Sequence, residues 1–337
     1  MKKFNVGIIG MGVGERHLSA YIKSSLVDKI KVYDFNKSKV KKLSKKYPKV
    51  IFTKKEKEIT EDKRINIVSI ASYDNFHAKQ ILVCLRNNKH VFVEKPLCLF
   101  HSEMVKIYKA FKKKKLKLSS NLVLRTSPLF NKLKNDIHRN NFGKIYYLEA
   151  DYLWGRTHKF FGWRSKMIYY SKIYGAAVHM IDLLIWMIKE KPKEVFATGN
   201  KIATKSTRLR FNSFVNLNLI FSNGLIAKVT GNGPCVYPHF HSLKIFGTKK
   251  TFSHDYGSSF FVKKGKKIKT SRIKVGKYLY PAKNKRINII KSFLDSIKKN
   301  KKSMIVNSKE VFDVMSICFA AEKSMITGKK VKIKYLD

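Results

Sequence analysis

Acidic side chains are scarce: 22 Asp and Glu stand against 72 Lys and Arg in 337 residues, a formal net charge of +50. An excess of that size invites a nucleic-acid or anionic-membrane reading, but its distribution argues against one. The lysines recur along nearly the whole chain, outnumber the arginines, and lie on solvated helix faces, as at Lys37, Lys39, Lys41, Lys42, Lys45 and Lys46. Sequence-specific readers favour Arg, and single-strand binders interleave cations with stacking aromatics; neither pattern dominates here. The run Lys112 to Lys115 closes a helix, where cations complement the dipole. With abundant Ile and Asn alongside, the lysine excess reads as a composition bias. No specific nucleic-acid partner is expected, although a basic surface would draw in anionic substrates.

Cysteine is also sparse. Cys84, Cys98, Cys235 and Cys318 show neither paired nor metal-ligand spacing, which excludes a disulfide framework and a zinc site and fits a reducing cytoplasm. No apolar run reaches the ~18 residues of a membrane span, and no signal-peptide core precedes Phe4. The expectation is a soluble cytoplasmic protein with no metal and no membrane partner. What remains, 44% hydrophobic and 28% charged residues, is the composition of a folded chain, and its length favours two domains over one core.

The most informative segment is Phe4-Asn5-Val6-Gly7-Ile8-Ile9-Gly10-Met11-Gly12-Val13-Gly14, an apolar strand running into glycines on alternate positions. Such a turn brings bare backbone N–H groups against a pyrophosphate and aims a helix N-terminus at it. Alone it is a weak signal, because glycine turns also serve ordinary strand-to-helix connections. A second landmark strengthens it: the strand Ile30 to Tyr33 ends at Asp34, about 20 residues on, where a ribose-binding acid is expected. A carboxylate there repels a 2′-phosphate and favours NAD over NADP, a preference that nearby Lys37 blurs.

Strand-like and helix-like segments then alternate: helix 36–46, strand 50–52, strand 67–71, helix 75–87, strand 90–93, helix 102–114 and strand 116–118. That alternation predicts an α/β, doubly wound parallel (Rossmann) domain over residues 1–122. Beyond Pro128 the rhythm changes. A strand over 144–154, a helix over 175–189, strands near 193–203, 213–222 and 225–231, and hairpin-like runs over 241–263 with turns at Gly247 and Gly265 follow. Helices near 284–298 and 308–326 and a strand over 331–335 close the chain. Asn223-Gly224 is a strong hairpin signal. Residues 123–337 are therefore predicted to form an α+β domain with a large, mostly antiparallel sheet for substrate binding and oligomerisation, a homodimer or homotetramer covering one sheet face.

The strand ending at Val93 delivers Glu94-Lys95-Pro96 to the carboxyl edge of the parallel sheet, where such sheets place ligands. Together with the glycine turn, Ser69-Ile70-Ala71-Ser72-Tyr73-Asp74-Asn75-Phe76-His77, the run Lys89 to Leu97, and Gly175-Ala176-Ala177-Val178-His179-Met180-Ile181-Asp182, this resembles the Gfo/Idh/MocA family of nicotinamide-dependent oxidoreductases. The resemblance spans nearly the whole chain and fades after about residue 235. It implies hydride exchange between NAD(H) and a carbinol carbon of a sugar, sugar acid or cyclitol, in a cleft between the domains. Lys95 matches the family's catalytic lysine, able to bond the reacting hydroxyl and stabilise alkoxide charge. Gly10, Gly12, Val13, Gly14, Asp34, Ala71, Ser72, His77, Glu94 and Lys95 are the implied cofactor contacts.

His179 sits among apolar helix positions with Asp182 one turn on, an arrangement that can hold one tautomer and serve as base toward a substrate hydroxyl. A lone buried His is more often simply hydrogen-bonded; the resemblance shifts the reading to a catalytic and substrate-binding role. The stretch Asp151 to Arg164 offers Arg156, Trp163 and Arg164 for stacking on a sugar ring and gripping a carboxylate or phosphate, or else for packing at a contact. Two departures stand out. The aspartate usual four residues before the family's histidine is Gly175, and Glu15 stands where a third glycine would fall. Two alternatives follow: an NAD-dependent glycoside hydrolase of the same fold, or a non-catalytic nucleotide-binding regulator.

Overall fold

A computed structural model describes residues 3–167, 169–263, 265, 269–272, 286–300 and 304–336. The chain groups into two units: Met1–Val123 with Asn284–Asp313, and Leu124–Lys283 with Val314–Tyr335, residues 336 and 337 falling to the first and second.

The first unit holds the strands β1 (Phe4–Ile9), β2 (Val27–Tyr33), β3 (Ile51–Phe52), β4 (Ile67–Ile70), β5 (His90–Val93) and β6 (Leu118–Ser120), with buried Val, Ile and Phe in β1, β2, β4 and β5. All pair in parallel in the order β3-β2-β1-β4-β5-β6. Both faces must then be covered, and the central strand β4 is accordingly buried at every residue and β5 from Val91 to Val93. Between strands lie α1 (Gly14–Ile22), α2 (Lys37–Lys46), α3 (Lys57–Thr60), α4 (His77–Arg86) and α5 (His101–Lys112). The strand order reverses between β1 and β4, the point where doubly wound sheets bind ligands. The strand expected at 116–118 begins at Leu118 instead, and the short α3 was not anticipated.

The second unit opens with α6 (Pro128–His138), which the sequence reading passed over although Pro occupies its first turn, a common helix start. Then come β7 (Ile145–Leu153), α7 (Val178–Ile188), β8 (Glu194–Asn200), β9 (Phe214–Ile220), β10 (Ile226–Asn232), β11 (Phe240–Gly247), β12 (Lys250–Asp255), β13 (Ser258–Lys263) and β14 (Lys269–Arg272). With β15 (Val331–Lys332) these strands form a nine-stranded sheet ordered β14-β13-β12-β11-β7-β10-β9-β8-β15, antiparallel except where β7 meets β10. Asn223-Gly224 turns β9 into β10 with Gly224 at φ +87°, as its sequence predicts.

One sheet face is apolar and lies under α7; the other carries Glu149, Asp151, Lys228 and Lys244 in mutual ion pairs. The helix expected at 175–189 begins as a π turn over Ile173–Ala177 and becomes regular at Val178. Late in the chain, α8 (Arg286–Lys298) packs on α1 in the first unit, α9 (Ser308–Thr327) follows, and β15 (Val331–Lys332) is shorter than the 331–335 expected. Residues 284–285 of the expected 284–298 helix, and most of the connection around Gly265, lie outside the described residues.

Candidate active site

Four backbone hydrogen bonds run in a row just past the strand ends of the first unit. Gly10 N–H donates to Tyr33 O (2.8 Å), Ala71 to Ile9 O (2.7 Å), Glu94 to Ile70 O (2.8 Å) and Asn121 to Val93 O (3.0 Å). This row extends the sheet by one residue and sets Gly10, Asp34, Ala71, Glu94 and Lys95 along a single carboxyl edge.

The glycine turn is built for close approach. Gly10 holds φ +87°, and a Cβ there would lie 2.5 Å from the carbonyl oxygen of Ala71, so only glycine fits. A Cβ at Gly12 would meet nothing within 4 Å, and Val13 is exposed. A Cβ at Gly14 would touch Ala71 Cβ and Ile8 Cγ2 at 3.3 Å, so Gly14 provides the close helix-to-strand packing that a third glycine would supply one residue later. Glu15 is turned aside: its carboxylate accepts from Lys46 Nζ (2.7 Å) and Tyr47 Oη (3.0 Å).

Asp34 is buried at the end of β2 and accepts the Met11 N–H at 2.6 Å and the Asn36 N–H at 2.8 Å. It therefore ties the glycine turn to the second strand. The nearest lysine ammonium is that of Lys39, 3.9 Å away; Lys37, singled out by the sequence reading, is exposed.

Around the crossover after β4, Ser72 Oγ donates to Gln80 Oε1 (2.6 Å). His77 is buried, with Nδ1 2.7 Å from the Pro96 carbonyl and Nε2 3.3 Å from that of Ser72, so its ring links the two loops that carry Ala71–Ser72 and Lys95. Glu94 is 9% exposed and accepts from His17 Nε2 (3.0 Å) and Asn121 Nδ2 (2.7 Å). Arg286 of α8 stands 4.0 Å off, and Ser69 Oγ lies 2.9 Å from His17 Nδ1. Burial alone would raise the Glu94 carboxyl. The His17 hydrogen bond and charge, the Arg286 charge and the Asn121 amide outweigh it and hold the group well below the usual carboxylate range. Glu94 is thus ionised and fixed one residue before the half-buried Lys95. His17, Asn121 and Arg286 were missed by sequence reasoning because their partner is distant along the chain.

In the second unit His179 lies in the first turn of α7, 5% exposed, its ring stacked on Tyr152 at 5.6 Å and 10°. Tyr152 also meets His239 (5.2 Å) and His241 (4.6 Å) edge-on. Burial pushes His239 down to about 4, with the Arg156 charge adding to the effect. His241 is likewise held well below its ordinary value by burial, then by His239, His254 and Arg156. The alternation His239-Phe240-His241 at a strand start, which places both imidazoles on one face, was the overlooked signal.

Arg156, Trp163 and Arg164 are all half-buried. Arg164 stacks on Trp163 (4.2 Å) and donates from Nε to Tyr170 Oη (3.1 Å). Asp182, expected among the substrate contacts, is engaged by the protein itself. It is 1% exposed and gives both carboxylate oxygens to Arg125, with Arg125 Nη2 at 2.6 Å from Oδ1 and Nε at 3.1 Å from each oxygen. That buried bidentate pair ties the segment leading into α6 to α7. Among the described residues no group of acidic, His or Cys side chains could hold a metal ion, and no helix is long and apolar enough to cross a membrane.

These features, a parallel sheet with a glycine cradle at its switch point followed by an α+β unit, define a nicotinamide-dependent oxidoreductase. Residues 4–122 match the oxidoreductase family with an NAD-binding Rossmann fold and residues 130–253 match the GFO/IDH/MocA C-terminal domain, so the chain belongs to the Gfo/Idh/MocA family. It is 22% identical over 254 residues to a myo-inositol 2-dehydrogenase of Thermotoga maritima, covering 72% of this chain and 73% of that protein. A levoglucosan dehydrogenase of Pseudarthrobacter phenanthrenivorans is 26% identical over 56% of this chain and 52% of its own. Among solved structures, myo-inositol 2-dehydrogenase from Lactobacillus plantarum superposes with a TM-score of 0.84 at 18% identity, covering 99% of this chain and 100% of that one. The relatives named here are dehydrogenases and lend no support to the glycoside hydrolase or regulator alternatives. The residues present fit the dinucleotide: a forced glycine at 10, open space at Gly12, and a fixed acid at the end of β2.

Proposed function

We propose that this chain exchanges a hydride between NAD(H) and a carbinol carbon of a sugar, sugar acid or cyclitol, with Lys95 and His179 as its catalytic residues. The observation that carries the reading is the position of Lys95. It follows β5 directly at the ligand-bearing edge, next in the chain to an ionised Glu94 that His17, Asn121 and Arg286 hold, with Ser69 behind His17. Bound nicotinamide would supply the hydride acceptor or donor; the rest is done by the chain. The Lys95 ammonium hydrogen-bonds the reacting hydroxyl and stabilises negative charge developing on its oxygen. His179, oriented by its stack on Tyr152, takes or returns the hydroxyl proton. Gly10, Gly12, Val13 and Gly14 receive the pyrophosphate and Asp34 the adenosine ribose, with Ala71, Ser72 and His77 shaping the adjoining wall. Arg156, Trp163 and Arg164 grip the substrate.

A screen for NADH formation over sugars, sugar acids and inositols tests the reaction. Lys95→Ala should abolish turnover while NADH titration shows binding largely kept; near-normal turnover in that variant would refute the assignment. Assembly into a homodimer or homotetramer through the ion-paired sheet face, and a cytoplasmic location, belong to the same proposal. Free cysteines suit a reducing compartment, and scattering that shows a monomer at micromolar concentration would remove the assembly.

A further inference from the structure

Phe35 is 63% exposed, yet the backbone that carries it is pinned on both sides. Before it, Asp34 Oδ1 accepts the Asn36 N–H at 2.8 Å and closes a turn around it. After it, Asn36 caps α2, its Oδ1 accepting the Lys39 N–H at 2.9 Å. A single exposed apolar side chain is ordinary on a protein surface. This one stands at the carboxyl edge of the parallel sheet, where ligands lie, and it does not stand alone.

Tyr73, in the loop after β4, meets it edge-to-face, with ring centres 5.5 Å apart and planes inclined at 65°. Strands β2 and β4 flank β1 on opposite sides. Their ends therefore stand about 10 Å apart, two strand spacings, and the two rings bridge that gap. Both segments are tied to the glycine turn between them. Asp34 Oδ2 accepts the Met11 N–H at 2.6 Å, and a Cβ on Gly10 would fall 2.7 Å from the Ser72 nitrogen. The rings thus adjoin the acid placed to take the adenosine ribose and the turn placed to take the pyrophosphate. In adenosine the base is attached to the ribose carbon next to the one that bears the 2′-hydroxyl. A ribose held by Asp34 consequently brings its base within one residue's reach of Phe35. Two inclined rings offer a purine a face to stack on and an edge to abut, the two geometries that aromatic pairs favour.

We propose that Phe35 and Tyr73 form an aromatic corner that holds the adenine base of the dinucleotide by stacking. This rests on the NAD-dependent reading given above and adds to it the two side chains that grip the base. Stacking uses the π-face of a base rather than its polar edge. The corner therefore supplies affinity, while discrimination by charge at the ribose stays with Asp34. Neither ring touches the reacting atoms.

The test is calorimetric titration of NADH and of ADP-ribose into the unsubstituted chain and into Phe35→Ala, Phe35→Leu, Tyr73→Ala and Tyr73→Phe, with a urea curve for each. Losing a stacked ring should weaken binding about five- to a hundredfold in Phe35→Ala and Tyr73→Ala. The loss should be equal for NADH and ADP-ribose, because both carry adenine and only one carries nicotinamide. Phe35→Leu, which keeps apolar bulk without a plane, should bind nearly as weakly as Phe35→Ala, and Tyr73→Phe should be the milder of the two Tyr73 changes. Undiminished ADP-ribose affinity in Phe35→Ala, whatever its urea curve, would reduce the pair to packing and overturn the corner. So would a leucine variant that binds like the unsubstituted chain, or a loss confined to NADH. If the losses appear but no polyol reduces NAD, the corner stands and the dehydrogenase reading fails. If a polyol reduces NAD and the losses are absent, the reverse holds. A chain that binds neither NADH nor ADP-ribose rejects both.

Discussion

Two glycines two residues apart should respond to the same substitution in opposite ways. Gly10→Ala places a methyl group 2.5 Å from Ala71 O, 2.6 Å from Ala71 C and 2.7 Å from Ser72 N, all backbone atoms that cannot swing away, at φ +87°. Left-handed backbone costs an alanine about 1–2 kcal/mol, and overpacking against fixed atoms adds about 1–3 kcal/mol. The stability loss should therefore be roughly 2–5 kcal/mol in urea denaturation. Gly12→Ala meets nothing within 4 Å. Restricting the unfolded chain should make it neutral or stabilising by up to about 1 kcal/mol. Yet if a pyrophosphate lies against that backbone, the new methyl stands between them. Losing a single charge-assisted N–H bond weakens binding roughly ten- to a hundredfold. Fluorescence titration with NADH beside a urea curve measures both quantities on the same samples. A Gly12→Ala chain that binds NADH as tightly as the unsubstituted one would refute the idea that this turn cradles the cofactor. If it unfolds as readily as Gly10→Ala, the open space inferred at Gly12 is wrong.

Breaking the buried Arg125–Asp182 pair by Arg125→Met should cost about 3–5 kcal/mol, because a lone carboxylate is left inside the second unit. Adding Asp182→Leu should recover most of that loss, and strictly additive losses in chemical denaturation would contradict it. Acid should weaken the second unit early. His239 and His254 are held down to about 4 from an ordinary value of 6.5, mainly by burial, and His241 is also held well below 6.5. Groups with depressed folded pKa values take up protons first in the unfolded chain, so their contribution is complete above pH 6.5 and is lost progressively as pH falls toward 4. Thermal melts across that window should show the slope, and replacing His254 by Gln should flatten it; a flat profile in the unsubstituted chain would show that these rings are not buried neutral.

Local, periodic signals are what the sequence makes legible. The β1–glycine–α1 unit, the apolar runs of β4 and β5 and the Asn-Gly hairpin each depend on neighbours within a few residues, and each forms where its pattern predicts. Helix α6 went unread because Asn, Lys and Asp on its outer face diluted a weak pattern, and tertiary burial of Phe130 and Leu133 decides it. The π turn at Ile173–Ala177 has no propensity signature at all. It forms where Gly231 and Gly175 let the chain pass close to β10 and to the Tyr170 ring. That α8 packs back on α1 is likewise settled by long-range contact rather than by composition.

The site divides along the same line. Residue types and edge positions at Gly10, Asp34, Glu94 and Lys95 follow from chain order on a parallel sheet, because strand ends fix where side chains emerge. Partners do not follow. Asp34 is secured by Met11 across 23 positions, Glu94 by His17 across 77, and Asp182 by Arg125 across 57. In each case an acid read as a ligand for something bound is first a ligand for the protein itself. With acids so few beside the cations, three of the buried ones, Asp34, Glu94 and Asp182, each meet a specific protein donor.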